Sequence, residues 1–118
     1  TLGHAFEEPD QEADPNAVKA LVADDGTALD FFRAPPTAAQ RSQGRILHHL
    51  GIYAFQRTRL LEFTSLPPSP RERAERLEQL RAVEAGWRVV VLEASGPALG
   101  IDTRADYDAF LARLRDRA

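Results

Sequence analysis

Cysteine is missing from all 118 residues, so disulfides and thiolate metal sites are excluded. Methionine is missing too, and the sequence opens on Thr1. The expectation is a piece of a longer translation product, or a product that has lost its front. Lys19 is the only lysine, and arginine supplies the remaining side-chain cations that are charged at any working pH. The net charge of −3 leaves no basic footprint, so no nucleic-acid partner is expected. No apolar run approaches the roughly 20 residues that a membrane helix needs, and no signal-peptide pattern opens the chain. No membrane partner is expected either. There is also no glycine-rich loop of the kind that cradles a triphosphate.

What is present suits one globular domain with a modest core: 43% hydrophobic and 28% charged residues. Thr1 to Phe6 is half apolar and reads as an edge strand. Residues 7–15 are acidic and end in proline, so they read as a loop. AVKALVADDGTALDFF holds two apolar runs about Asp25-Gly26, where glycine accepts positive φ, and predicts a hairpin with strands near 17–23 and 27–33. Residues 34–44, with Pro35 and Pro36, read as a loop. Ile46 to Phe55 is a near-continuous apolar run and predicts a strand buried on both faces.

Thr58 to Thr64 predicts a short helix. Ser69-Pro70-Arg71-Glu72 is a capping box with proline at the first helical position. The helix it opens is expected to run to about Ala85, with Gly86 as its stop and Ala74, Leu77 and Leu80 as its core stripe. Its alternating charges read as a solvated face with i,i+4 pairs such as Glu72 with Arg76. WRVVVLE at 87–93 predicts a strand. Thr103 and Asp106 predict a cap for a helix to about Arg117, with Tyr107, Phe110, Leu111 and Leu114 on one face. The order is mixed α/β with at least one antiparallel pair.

Few residues point to chemistry on their own. His48 and His49 are adjacent, and on a strand they face opposite sides, so they cannot share one metal ion. His49 and Tyr53 would share a strand face with Gly51 between them, a floor for a small polar ligand. Glu78 and Gln79 flank the core stripe and can point into a cleft or into water. Arg33 ends a strand and suits a carboxylate partner. Asp102 precedes a helix, and a carboxylate there suits Mg²⁺ beside substrate phosphates.

In combination the islands say more. DPNAVKAL at 14–21, FRAP at 32–35, HLGIYAF at 49–55, LPPSPRERAERLEQLR at 66–81 and GIDTRAD at 100–106 resemble the CMP-KDO synthetases, the 3-deoxy-manno-octulosonate (KDO) cytidylyltransferases. The resemblance implies an α/β fold with a mixed sheet, like the C-terminal half of a Rossmann-like nucleotidyltransferase of the nucleotide-diphospho-sugar transferase type. Residues 1–118 would be a single partial domain, the sugar-binding and dimerisation half, with the nucleotide-binding half absent. It implies a cytoplasmic, homodimeric transferase that joins CTP to KDO for lipopolysaccharide biosynthesis, with Mg²⁺ as cofactor. By the resemblance Arg33, His49, Tyr53, Glu78 and Gln79 line the sugar pocket, and Asp102 is a metal ligand whose second carboxylate partner is not in this sequence. The 118 residues alone are expected to be inactive. Phe32 stands where the family usually has serine, Asp30 where an aromatic is common, and Phe55 where a second tyrosine is frequent. Two other readings stay open: a non-catalytic remnant or dimerisation module, and a cytidylyltransferase for another sugar acid.

Overall fold

The computed structural model describes residues 1–96, 100–101 and 103–116. Eleven elements follow one another among them: β1 (Leu2–His4), α1 (Pro9–Ala13), β2 (Lys19–Val22), β3 (Ala28–Phe32), α2 (Ala38–Gln43), β4 (Arg45–Leu50), α3 (Arg57–Ser65), α4 (Pro70–Glu75), α5 (Gln79–Glu84), β5 (Leu92–Glu93) and α6 (Arg104–Asp116). The strands form one sheet in the order β3-β2-β4-β1-β5. All neighbours are antiparallel except β1 and β5. The mixed α/β fold class is the expected one.

The hairpin forms as expected. Gly26 has φ 82, and its N–H donates to Ala23 O at 2.9 Å, closing the turn between β2 and β3. β1 is a strand but not an edge, because β5 pairs along its outer side. The acidic loop contains the short helix α1, started by Pro9. The proline loop contains α2, capped by a reciprocal Thr37–Gln40 pair. Gly44, which follows α2, is required by close approach: a Cβ there would sit 2.4 Å from Val22 O.

The register sorts side chains into two rows. Phe31, Ala20 and Leu47 are cross-strand neighbours and join Val22, Ala28, Leu77, Leu80 and Val91 in the core. One residue along, the row is Phe32, Lys19, His48 and His4. Lys19 is fully buried, and its Nζ donates to Asp14 O at 2.6 Å and Arg33 O at 2.7 Å, with the Asp14 and Glu12 carboxylates acting on it from farther off. Burial pushes its pKa down.

Three expectations are corrected. β4 stops at Leu50, and only Leu47 and His49 of its residues are buried, so it is not buried on both faces. The helix foreseen over 70–85 is two helices. Arg76 takes left-handed angles (φ 54, ψ 50) and separates α4 from α5. This turn carries Leu77 and Leu80 into the core and leaves Ala74 exposed, while Glu72 is buried. Glu72 pairs with Arg81 rather than Arg76. The strand foreseen at 87–93 is regular only over Leu92–Glu93. Before it, Val91 N donates to Gly26 O and Val89 O accepts from Ala28 N, so this stretch is bonded to the hairpin instead.

α3 and α6 form where foreseen, and Thr103 and Asp106 cap α6 reciprocally. Tyr107, Phe110 and Leu114 of α6 are exposed.

Candidate functional site

Residues 51–56 follow β4 out of the sheet, all of them exposed. Residues 53–56 form one wall of a cleft of about 650 Å³. Tyr53 and Phe55 come from this segment, Phe63 from α3, Glu78 and Gln79 from the start of α5, and Trp87 from the stretch after Gly86. The rings step along the cleft: His49 to Tyr53 at 5.5 Å, Tyr53 to Phe55 at 6.3 Å, Phe55 to Phe63 at 5.5 Å and Phe63 to Trp87 at 6.2 Å. Arg59 lies over Trp87 at 5.1 Å.

Gln79, Tyr53 and Glu78 bring polar groups to the cleft. Gln79 is 6% exposed, and its Nε2 has no hydrogen-bond partner among the described residues. A buried amide without a partner costs free energy until an acceptor arrives, which makes it a waiting donor in this cleft. Tyr53 is pushed up to about 12 by burial and by the Glu78 carboxylate, so its hydroxyl keeps its proton at neutral pH. His49 is buried behind Tyr53 and packs edge-on to Phe31 at 4.9 Å. Burial, then the N-terminal ammonium and His48, push it down to about 4, so it is neutral at pH 7. Thr1 Oγ1 donates to Ile52 O at 2.7 Å, which leaves His49 Nε2, 3.0 Å away, as the donor to that hydroxyl.

Of the residues singled out in the sequence, Tyr53, Glu78 and Gln79 line the cleft, and His49 backs it. His49 and Tyr53 do not share a strand face, because β4 has ended; a looped backbone brings their rings together instead. Gly51 provides no gap between them, since a Cβ there would meet open space. Arg33 is elsewhere: its Nε donates to Glu75 O at 2.7 Å and its Nη1 to Pro15 O at 3.1 Å, under the α4–α5 break. Asp102 lies outside the described residues. Among the described residues no three His, Cys, Asp or Glu side chains gather as a metal site. Sequence reasoning missed Phe63, Trp87 and Arg59 as cleft residues, having read the first two as parts of a helix and a strand. The only tryptophan standing directly after a helix-stopping glycine was the available signal.

The cytidylyltransferase family model matches residues 1–93. The 3-deoxy-manno-octulosonate cytidylyltransferase of Rhodospirillum centenum is 42% identical over 122 residues, covering 99% of this chain and 46% of that protein. That of Azorhizobium caulinodans is 45% identical over 107 residues, covering 87% and 42%. A solved structure of CMP:2-keto-3-deoxy-manno-octonic acid synthetase complexed with CTP superimposes with a TM-score of 0.86 at 36% identity, over 100% of this chain and 49% of that one. The chain thus spans about half the length of the curated relatives it matches.

Proposed function

Because the chain belongs to the cytidylyltransferase family, we propose that it supplies the sugar-acid side of an enzyme that joins CTP to KDO. The anomeric hydroxyl oxygen of KDO bonds to the α-phosphorus of CTP, the bond from that phosphorus to the bridging oxygen breaks, and pyrophosphate leaves. The hydroxyl proton passes to solvent or base. CMP-KDO is the product, destined for lipopolysaccharide. This chain's own task in that reaction is to bind and orient the acceptor. Gln79 donates from its amide, Tyr53 from its neutral hydroxyl, and Glu78 accepts from sugar hydroxyls.

The observation that carries this reading is the buried, unpartnered Gln79 amide in the cleft. Calorimetric titration of the chain with KDO tests it. Saturable binding is expected, weakened about tenfold or more in Gln79→Leu through loss of one hydrogen bond. Heat with another sugar acid and none with KDO would reassign the acceptor.

Mg²⁺ belongs to the same proposal, with Asp102 offering one carboxylate and the substrate phosphates the rest. The described residues alone do not make a metal site. A cytoplasmic setting is part of the same proposal, resting on the family reading alone. No helix among the described residues is long and apolar enough to cross a membrane. We further propose a homodimer. The row Leu50, Leu2 and Leu92 crosses the sheet, with Leu92 62% exposed, and offers an apolar strip for a second copy.

A further inference from the structure

α3 buries none of its residues, yet it contributes a wall of the cleft. Something outside a hydrophobic core must hold it. Phe63 touches Phe55 and Trp87, Arg59 lies over Trp87, and a further tie is Arg81 on α5. Arg81 Nη1 lies 3.4 Å from both Phe63 O and Leu66 O, the carbonyls at the end of α3. Its guanidinium carbon sits 4.7 Å from the centre of the Phe63 ring.

The same guanidinium grips α4. Arg81 Nε donates to Glu72 Oε2 at 2.8 Å, and Nη2 donates to Glu72 Oε1. This two-pronged pairing fixes direction as well as distance. Their side chains are only 16% and 7% exposed. Glu72 is itself immobilised, because Oε2 accepts from Ser69 N at 3.2 Å and Glu72 N donates to Ser69 Oγ at 3.0 Å. Three helices therefore meet at one ion pair. Between two of them lies the left-handed Arg76, a conformation that costs a non-glycine residue about 1–2 kcal/mol and must be held in place by its surroundings. Gln79 stands two residues before Arg81 on the same short helix, and Phe63 lies beneath Arg81.

We propose that Glu72 and Arg81 are positioning residues for the cleft: their pair locks the end of α3 to the start of α5 and so sets the places of Phe63 and Gln79 around a bound sugar acid. The sugar-acid half of this statement rests on the function proposed above; the locking half does not. The pair touches no ligand, so it acts through its neighbours.

The only tryptophan, Trp87, lines the cleft 6.2 Å from Phe63 and reports on the lock without any ligand. Acrylamide quenching of Trp87 and KDO affinity are measured side by side in three variants. Glu72→Gln keeps a residue type that serves the capping box while removing the charge. Arg81→Met removes the fork. Ser69→Ala removes the cap and leaves the pair. The first two are expected to raise the quenching constant toward that of the unfolded chain and to weaken KDO about tenfold. Ser69→Ala is expected to lower the melting temperature and change neither readout. Folded Arg81→Met, or Glu72→Gln should Arg81→Met not fold, with Trp87 shielded as before would overturn the proposal. So would Ser69→Ala moving both readouts equally. If the wild-type chain binds no KDO, the sugar-acid reading fails and quenching alone decides the lock.

Discussion

Arg45–Leu50 is paired on both sides, by β2 and by β1, whereas residues 51–56 find no strand partner among the described residues and are all exposed. The two stretches are adjacent and similarly apolar. The first gives Leu47 and His49 to the interior, and the second gives Tyr53 and Phe55 to a cleft. Pairing satisfies backbone groups and lets side chains be sealed in; where it ends, the chain must stay at the surface, and its rings become a binding wall.

The sharpest way to break this distinction is to truncate one side chain from each region. Leu80→Ala, at a position with 0% exposure, should cost about 2–5 kcal/mol in chemical denaturation. Phe55→Ala, at 38% exposure, should cost less than about 1 kcal/mol. Equal costs would mean that the cleft wall is core.

The next largest effect lies at the boundary itself. His49 is held at about 4, below its ordinary 6.5, so the unfolded chain binds the proton that the folded chain refuses. Stability is then complete above pH 6.5 and falls as pH drops toward 4, by up to about 3 kcal/mol. Denaturation across this window should show that slope, and His49→Leu should flatten it.

A smaller effect has the opposite sign. Gln79→Leu removes an unpartnered buried amide, so stability should hold or rise by about 1 kcal/mol while KDO affinity falls. A loss of stability would show that the amide is already satisfied. The smallest effect is Arg88→Ala on the rim. Its contact with Asp25 is 3.7 Å long with both side chains more than half exposed, and the melting temperature should not change measurably.

Local chemistry was readable wherever one residue or one short motif decides the backbone. Gly26 made its hairpin turn, and Ser69 with Glu72, like Thr103 with Asp106, capped the expected helices. The Thr37–Gln40 box of α2 is a motif of the same kind, masked in the sequence by Pro35 and Pro36 just before it. The break at Arg76 had no such mark, being neither glycine nor proline. It exists because Leu77 and Leu80 both reach the core and because Glu72 reaches Arg81.

The site divides the same way. The family was recognisable from ordered motifs, and Tyr53, Glu78 and Gln79, singled out with it, line the cleft. Arg33 was grouped with them, yet its guanidinium is engaged by backbone carbonyls away from the cleft. Phe63 and Trp87 join the cleft from positions 24 residues apart in sequence, through a 6.2 Å ring contact that no local pattern encodes.

By itself, then, the sequence determined the hairpin, the Ser69 and Thr103 caps and the family, because each depends on neighbours along the chain. Only the tertiary structure decided where β4 ends, that one helix becomes two, and which rings and amides share a cleft. Those outcomes depend on which backbone groups find distant partners and on which side chains a finite core can hold.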